Sequence, residues 1–540
     1  MREARQTQRA GRAVAALCCA FAVIAAAPAV RAAEASGEDQ AVEPLELTLD
    51  ACIELGIQKN YEFLNEEESF ILQQLATALQ RHNYGRLWTS SVSADTDQAG
   101  SETEALSLQM AKRLLTGADL TLSVGSSGEQ PGEEEDAYSS SAGLSIEQPL
   151  LRGAGRLVAR EDLTQAERDL IYAGRELVLF RQQFLIDIVT QYYRLVQDHL
   201  QIRNQQEKVD GALELVRRTA AQRASGVGTR IDELRAAIAL LQARNDLSDA
   251  EQRYRLQLDS LKLTLGLSME REVTLSLPAR DELPFSPLFD IRLELPKELN
   301  LAEELEQTRE VASSDILDFL EGLRIEQNEL HQSGRDVEAV LDENMALALA
   351  RRLDLFTVQN QAEDARRALR IARNNLRGDL DLTARVGYST EPATAFGDQR
   401  FGKPEWSLGL AYELPLDRVP EKTSYRQQLI AYGRSLRHTS RVRDQVLLDV
   451  RSTVRDLHRS EVTVLIQKVN VWAANTRLRR ANALLSQGNA VSRDVQEALN
   501  ELLDAKNAHD KAEIDHIIAT LQLKKDTGLL DPDRWREEIQ

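Results

Sequence analysis

The chain is 540 residues long, 42% hydrophobic, 28% charged and only 5% aromatic, with a net charge of −20. That balance is too apolar for wholesale disorder and too charged for a polytopic helical membrane protein. The acidic excess excludes nucleic acid as a natural partner, because phosphates need a basic footprint, and three cysteines, Cys18, Cys19 and Cys52, build neither a disulfide framework nor a zinc cluster.

Residues 1–32 read as a secretory signal peptide. Arg2, Arg5, Arg9 and Arg12 precede an apolar stretch from Ala13 to Val30. Small residues then offer cleavage at Ala27-Pro28-Ala29 or at Val30-Arg31-Ala32. A spanning helix is the competing reading, but the stretch is Ala-rich and ends at a cleavage pattern. Cys18 and Cys19 lie inside it and are poorly placed for lipid attachment, so the mature chain keeps only Cys52.

A repeat organises the rest. Gly226 to Gly266 aligns without gaps on Gly488 to Gly528, placing Asp232 on Asp494, Ala236 on Ala498, Leu240 on Leu502 and Leu241 on Leu503. Earlier, Ala51-Cys52-Ile53-Glu54-Leu55 sits over Ala346-Leu347-Ala348-Leu349-Ala350, with an offset larger by about thirty residues. The first half therefore carries an insertion, seated at 104–130. The first repeat is 45–270 and the second 341–530, joined by a linker region at 271–340 that contains Leu283 to Pro296 and an amphipathic helix.

In the first repeat the periodicity predicts a helix over 50–86 and strands at 88–96, 105–114, 118–126 and 138–148. A very long helix over 153–224 and a shorter one over 228–266 follow as a hairpin. Leu163, Leu170, Leu177 and Phe184, like Ile231, Leu234, Ile238 and Leu241, are spaced as coiled-coil seams. The second repeat predicts a helix over 343–377, strands at 380–389 and 405–414, and helices over 421–486 and 491–525. A helix of ~70 residues is ~105 Å long, so two shorter helices end to end are needed to cover it.

The strands alternate strictly. Leu120, Leu122 and Val124 oppose Thr121 and Ser123; Trp406, Leu408, Leu410, Tyr412 and Leu414 oppose Ser407, Gly409 and Glu413. Either a soluble sheet over a core or a membrane barrel produces this. The turns favour the barrel. Thr116-Gly117 is a tight connection, whereas Asp95 to Thr103, Glu129 to Ala137 and Glu391 to Glu405 are long polar joins. Six strands are too few to close a spanning barrel, and open edges cannot sit in lipid, so several chains must share one.

Catalytic chemistry finds no footing. His509, Glu513 and His516 share a helical face with metal-ligand spacing, but a solvated or inter-helix face explains them as well. Arg152-Gly153-Ala154-Gly155 lacks the third glycine and the βαβ unit of a dinucleotide loop. No catalytic, cofactor-binding or metal-binding residue is expected.

Several segments together resemble the TolC family of outer-membrane efflux proteins. Leu47-Thr48-Leu49-Asp50-Ala51 looks like the family's opening, and Gln148-Pro149-Leu150-Leu151 and Leu414-Pro415-Leu416 like its strand-to-helix exits. The stretches Gly226 to Asp232 and Gly488 to Val495 look like its helical-hairpin turns. The resemblance covers about 45–530. It implies a mainly α fold with a membrane β-barrel portion: a long coiled-coil α-helical barrel continuing an antiparallel β-barrel shared by a homotrimer, internally duplicated. Members normally give four strands per chain. Six here imply eighteen in the trimer, or twelve if the 105–126 hairpin stays outside the wall. The 271–340 region corresponds to an equatorial collar. In a well-known member, acidic residues six and nine positions after the turn glycine line a periplasmic constriction; these match Asp494 and Glu497, which would favour cations. That member's latch Tyr and Arg fall on Leu485 and Ala490, leaving Arg493 to take the arginine's part. A helix N-terminal carboxylate beside a Ser492 cap is the plainer account of Asp494.

The expected protein is a passive duct in the outer membrane of a Gram-negative-type cell, not an enzyme, with its helices in the periplasm and its strands in outer-membrane lipid. A periplasmic adaptor would meet the hairpin turns at Gly226, Gly228, Thr229, Asp232, Gly488 and Ser492, and an inner-membrane transporter would deliver multidrug, metal or protein cargo. The alternative is a periplasmic coiled-coil scaffold without transport activity.

Overall fold

The computed structural model describes residues 45–96, 102–130, 137–226, 228–276, 327–391, 400–487, 489–532 and 534. The signal peptide, Gly488 and most of the linker lie outside these. Residues 46–270 and 275–540 form one compact unit; of the other, 1–45 and 271–274, only Leu45 and 271–274 are described.

In chain order the elements of the first repeat begin with β1 (Leu45–Leu47), α1 (Leu49–Lys59) and α2 (Tyr61–Asn83). Then come β2 (Leu87–Thr96), β3 (Glu102–Arg113), β4 (Asp119–Gln130) and β5 (Ala137–Pro149). The short α3 (Arg156–Ala159), α4 (Glu161–Ala224), α5 (Arg230–Thr264) and β6 (Val273–Leu275) complete it. The second repeat has α6 (Gln327–Arg351), α7 (Leu353–Asn374), β7 (Asp379–Ser389), β8 (Glu405–Glu413), α8 (Val419–Ser486) and α9 (Ser492–Asp526). No helix among the described residues is long and apolar enough to cross a membrane.

The long helices are α4, of 64 residues, and α8, of 68, each roughly 100 Å at 1.5 Å per residue. Shorter helices share the length of each. Along the first part of α4 lie α1 and α2, where Phe63 is buried against Phe180 and Phe184. Beyond them α5 packs its alanines, Ala236, Ala239, Ala243 and Ala250, inward. On α8, Val446, Val450, Val454 and Leu457 pack with Leu341 and Ala348 of α6 and Leu523 of α9. The two halves are tied at Asp364 of α7. It accepts from Arg168 (2.5 Å) and Tyr172 (2.5 Å) of α4 and from Arg367 (2.7 Å), which also holds Glu161 (3.2 Å). Burial, and then the bond to Asp364, push the Tyr172 hydroxyl up to about 12. Cys52 is a buried free thiol whose pKa burial likewise raises to about 12.

Three expectations need correction. The helix expected over 50–86 is two helices. Asn60 breaks it because its side chain works in two directions: Oδ1 accepts from the Phe63 N–H (2.8 Å), capping α2, while Nδ2 donates to the Thr264 carbonyl (2.7 Å) at the end of α5. The helix expected over 343–377 starts at Gln327 and breaks at Arg352, whose guanidinium is held by Asp354 (2.6 Å) and Asp449 (3.2 Å). Finally, Ile231, Leu234, Ile238 and Leu241 are not an internal seam. All four are exposed on α5, opposite its buried alanines.

The strands β2, β3, β4, β5, β7 and β8 lie in that order in one antiparallel sheet. The 105–126 hairpin is inside it, between β2 and β5. The tight turn expected at Thr116-Gly117 closes through Leu114 N–H to Ala118 O (2.7 Å), with Gly117 at φ 93°. The pairing register carries one apolar row across every strand: Trp88, Met110, Leu122, Leu144, Val386 and Trp406. The neighbouring row on the opposite face is Thr89, Gln109, Ser123, Gly143, Gly387 and Glu405. Among the described residues nothing covers the apolar face: Trp88 is 59% exposed and Trp406 76%.

Candidate functional site

The two helical hairpin turns, α4 to α5 and α8 to α9, carry every residue singled out for gating and docking. The first turn closes through Gly226, at φ 81°, a left-handed conformation that suits glycine. Its N–H donates to Arg223 O (3.0 Å), and the Gly228 N–H to Gln222 O (3.0 Å). Thr229 caps α5: its hydroxyl accepts from the Asp232 N–H (3.2 Å) and donates to the Asp232 carboxylate (2.5 Å). Arg223 pairs with Glu233 across the turn.

The second turn differs in its cap. Ser492 was the expected cap, but Val491 holds that position, and Ser492 is the first helical residue, only 5% exposed. With no cap hydroxyl available, Asp494 supplies the polar group. Its carboxylate accepts from the Val491 N–H (3.1 Å), where the helix dipole favours negative charge. Arg493 donates to Glu497 (2.8 Å) one turn on, and that bond is the main reason its pKa is raised. Gly488 lies outside the described residues.

Arg493, Asp494 and Glu497 are exposed, whereas Ser492, Val495 and Ala498 are buried. The acidic stripe continues along α9 through Glu501 and Asp504, so its members recur at intervals of three, four and three. Glu501 pairs with Arg477 of α8. Beside it, Gln467, Asn470, Ala473 and Ala508 complete a shallow depression with Asp504. A row of carboxylates on one exposed helical face attracts cations and repels anions wherever that face borders a narrow passage.

Leu485 and Ala490, standing where the resemblance places a polar latch, join an apolar cluster instead. Leu485 is buried with Leu215, Ala236, Ala481, Val495 and Ala498, which draws together all four helices of the two hairpins. Ala490 packs against the same cluster. Next to the turns, Gln222 donates to the Leu485 carbonyl (3.3 Å) and Arg218 to Asn482 (3.2 Å), joining the two hairpins there. Sequence reasoning missed Gln222 and Arg218, because partners more than 260 residues away leave no local signal.

The metal-spaced trio on α9 separates. His509 Nε2 lies 3.6 Å from Glu513, and Asp510 joins them, so that among the described residues these three can bring ligand atoms within 4.8 Å of one another. His516 instead meets Ser460 Oγ (3.1 Å). Asp510 is fully buried and accepts from Asn204 of α4 (2.9 Å), so the group lies on an inter-helix face.

The sequence matches the model of the family described as outer membrane efflux protein over residues 103–267 and 344–529, one match in each repeat. No protein with a curated description matches. Among solved structures, the fold is similar to that of VceC from Vibrio cholerae, at 14% identity, with 89% of this chain and 96% of that one covered and a TM-score of 0.61. It is also similar to the outer-membrane channel OprN (15% identity, 89% of each chain, TM-score 0.60). CmeC of Campylobacter jejuni gives 11% identity, 91% of this chain and 89% of that one, and a TM-score of 0.58. With both repeats matched over more than half of its length, the chain belongs to the outer membrane efflux protein family and is an efflux channel of the outer membrane.

Proposed function

We propose that three copies of this chain form a passive duct through which an inner-membrane pump, coupled by a periplasmic adaptor, exports its substrates. One observation carries this reading: the six-stranded sheet has one face that is apolar across its middle rows and, among the described residues, leaves β2 and β8 as open edges. Such a sheet is stable in lipid only when further copies close it. The helices support the same conclusion. Ile71, Leu72, Leu75 and Leu79 of α2 are 50–65% exposed, as apolar as the exposed stripe of α5. Apolar stripes of this kind become buried when helices of neighbouring copies pack side by side. The adaptor would meet the hairpin turns at Gly226, Gly228, Thr229 and Asp232, and at Val491 and Arg493 rather than the buried Ser492. Detergent extraction followed by mass measurement tests the assembly. A trimer is expected; a detergent-independent monomer would restore the scaffold reading.

Within that duct, Asp494 and Glu497 form the cation-favouring ring at the tip. The double substitution Asp494→Asn with Glu497→Gln keeps the acceptor for the Val491 N–H but removes two charges per copy. In planar bilayers the cation-to-anion permeability ratio should fall several-fold while channels still open. An unchanged ratio would place the selectivity elsewhere.

A further inference from the structure

We infer that each copy contributes all six strands to the membrane wall, so that three copies close an eighteen-stranded barrel in which β8 of one copy pairs with β2 of the next. This rests on the trimer proposed above and concerns how wide its outlet is. The question turns on the β3–β4 hairpin, the segment by which the first repeat exceeds the second. Three observations place it in the wall.

First, the ladders are unbroken. The whole of β2 pairs with β3 and nearly the whole of β4 with β5, so a twelve-stranded wall with the hairpin outside would forfeit both. Second, the hairpin carries the lipid-facing pattern of its neighbours. Leu106 stands beside Val92, and Leu108 and Val124 beside Ala142 and Tyr388 of the same row. Leu106 is 57% exposed and Leu108 46%, comparable with Leu144 and Val386. Third, β3 and β4 have 12 residues each, no fewer than β2, β7 and β8 with 10, 11 and 9. A tilted spanning strand needs about 9–11. The direction is also right, as it would be for four strands. With an even number of alternating strands, β2 and β8 run opposite ways, so the seam between copies is antiparallel like every other pair.

The size follows from strand spacing. Eighteen strands ~4.8 Å apart and tilted by about 40° give a wall roughly 36 Å across, against roughly 24 Å for twelve at the same tilt. On its polar face one row consists of the small residues Ser91, Ser107, Gly125, Ser141 and Ser389, while Gln109, Arg385 and Glu405 stand in neighbouring rows. The backbone wall of the outlet is therefore about half as wide again as a twelve-stranded one.

The test images the full-length mature protein in lipid nanodiscs by electron cryomicroscopy. In parallel, it places nitroxides at Leu108→Cys and Leu122→Cys, with Leu144→Cys as a wall reference. The expected result is a threefold particle with eighteen strands, and hairpin labels that meet dissolved oxygen more than an aqueous nickel chelate, like the reference. A threefold particle with twelve strands, and hairpin labels open to the chelate, overturns the inference and leaves the duct standing. Particles without threefold symmetry overturn both.

Discussion

Arginine at Leu108 or at Leu122 will keep the chain out of the outer membrane. Both leucines lie within their strands and on the apolar face, in rows shared with Val124 and Tyr388 or with Leu144 and Val386. A charge facing lipid near the bilayer midplane costs about 2–4 kcal/mol, and a trimer would carry three of them. The neighbouring positions supply the control. Ser107 and Ser123 belong to the polar face, so arginine there enters a water-filled lumen. Outer-membrane fractions of the leucine variants should hold several-fold less trimer than wild type, and those of the serine variants nearly the wild-type amount. Equal trimer levels in all four would mean that the apolar face does not meet lipid.

Gly266→Ala is the second large effect, and its cause is local. Gly266 ends α5 at φ 65°, where an L-residue costs about 1–2 kcal/mol. A Cβ there would also stand 2.3 Å from the carbonyl oxygen of Lys59, at the junction of α1 and α2. Backbone cannot yield as a side-chain tip does, so overpacking adds about 1–3 kcal/mol. The shift would strain the Asn60 bond to Thr264, which joins the same two chain segments. Gly226→Ala is the comparison: its φ is 81°, yet a Cβ would meet nothing within 4 Å. Denaturant unfolding of the helical part should show Gly266→Ala less stable than Gly226→Ala by more than 1 kcal/mol. Equal losses would show that the close approach to Lys59 is not rigid.

These glycines also explain which parts of the fold were legible in the sequence. Alternation in the strands and the unbroken run of α4 and α8 are properties of short windows, so the sheet and the long helices could be read directly. The breaks at Asn60 and Arg352 were not, since neither contains proline or glycine. Each is imposed from far along the chain. Gly266 packs on Lys59 beside Asn60, and Gly528, at φ 70°, would bring a Cβ within 3.4 Å of the Arg351 backbone beside Arg352. The repeat thus reproduces a tertiary contact that no local pattern reveals. The same reason holds at the tip. Heptad spacing identified Ile231, Leu234, Ile238 and Leu241 as an apolar stripe, but spacing does not say whether the partner is in the same chain. Ser492 fits a cap by type, yet register placed Val491 there and buried the serine. Asp494 and Glu497 are singled out by their spacing from the turn glycine, and both are exposed.

The open edges of β2 and β8 have a consequence for inheritance. If every copy must offer one edge to each neighbour, a single faulty copy leaves a gap that its two sound neighbours cannot repair. When intact and edge-damaged chains are made in equal amounts and mix freely, only about one trimer in eight contains three intact copies. A lesion in β2 or β8 would thus suppress the normal allele beside it, whereas one that prevents folding altogether would withdraw its chain from assembly and remain recessive.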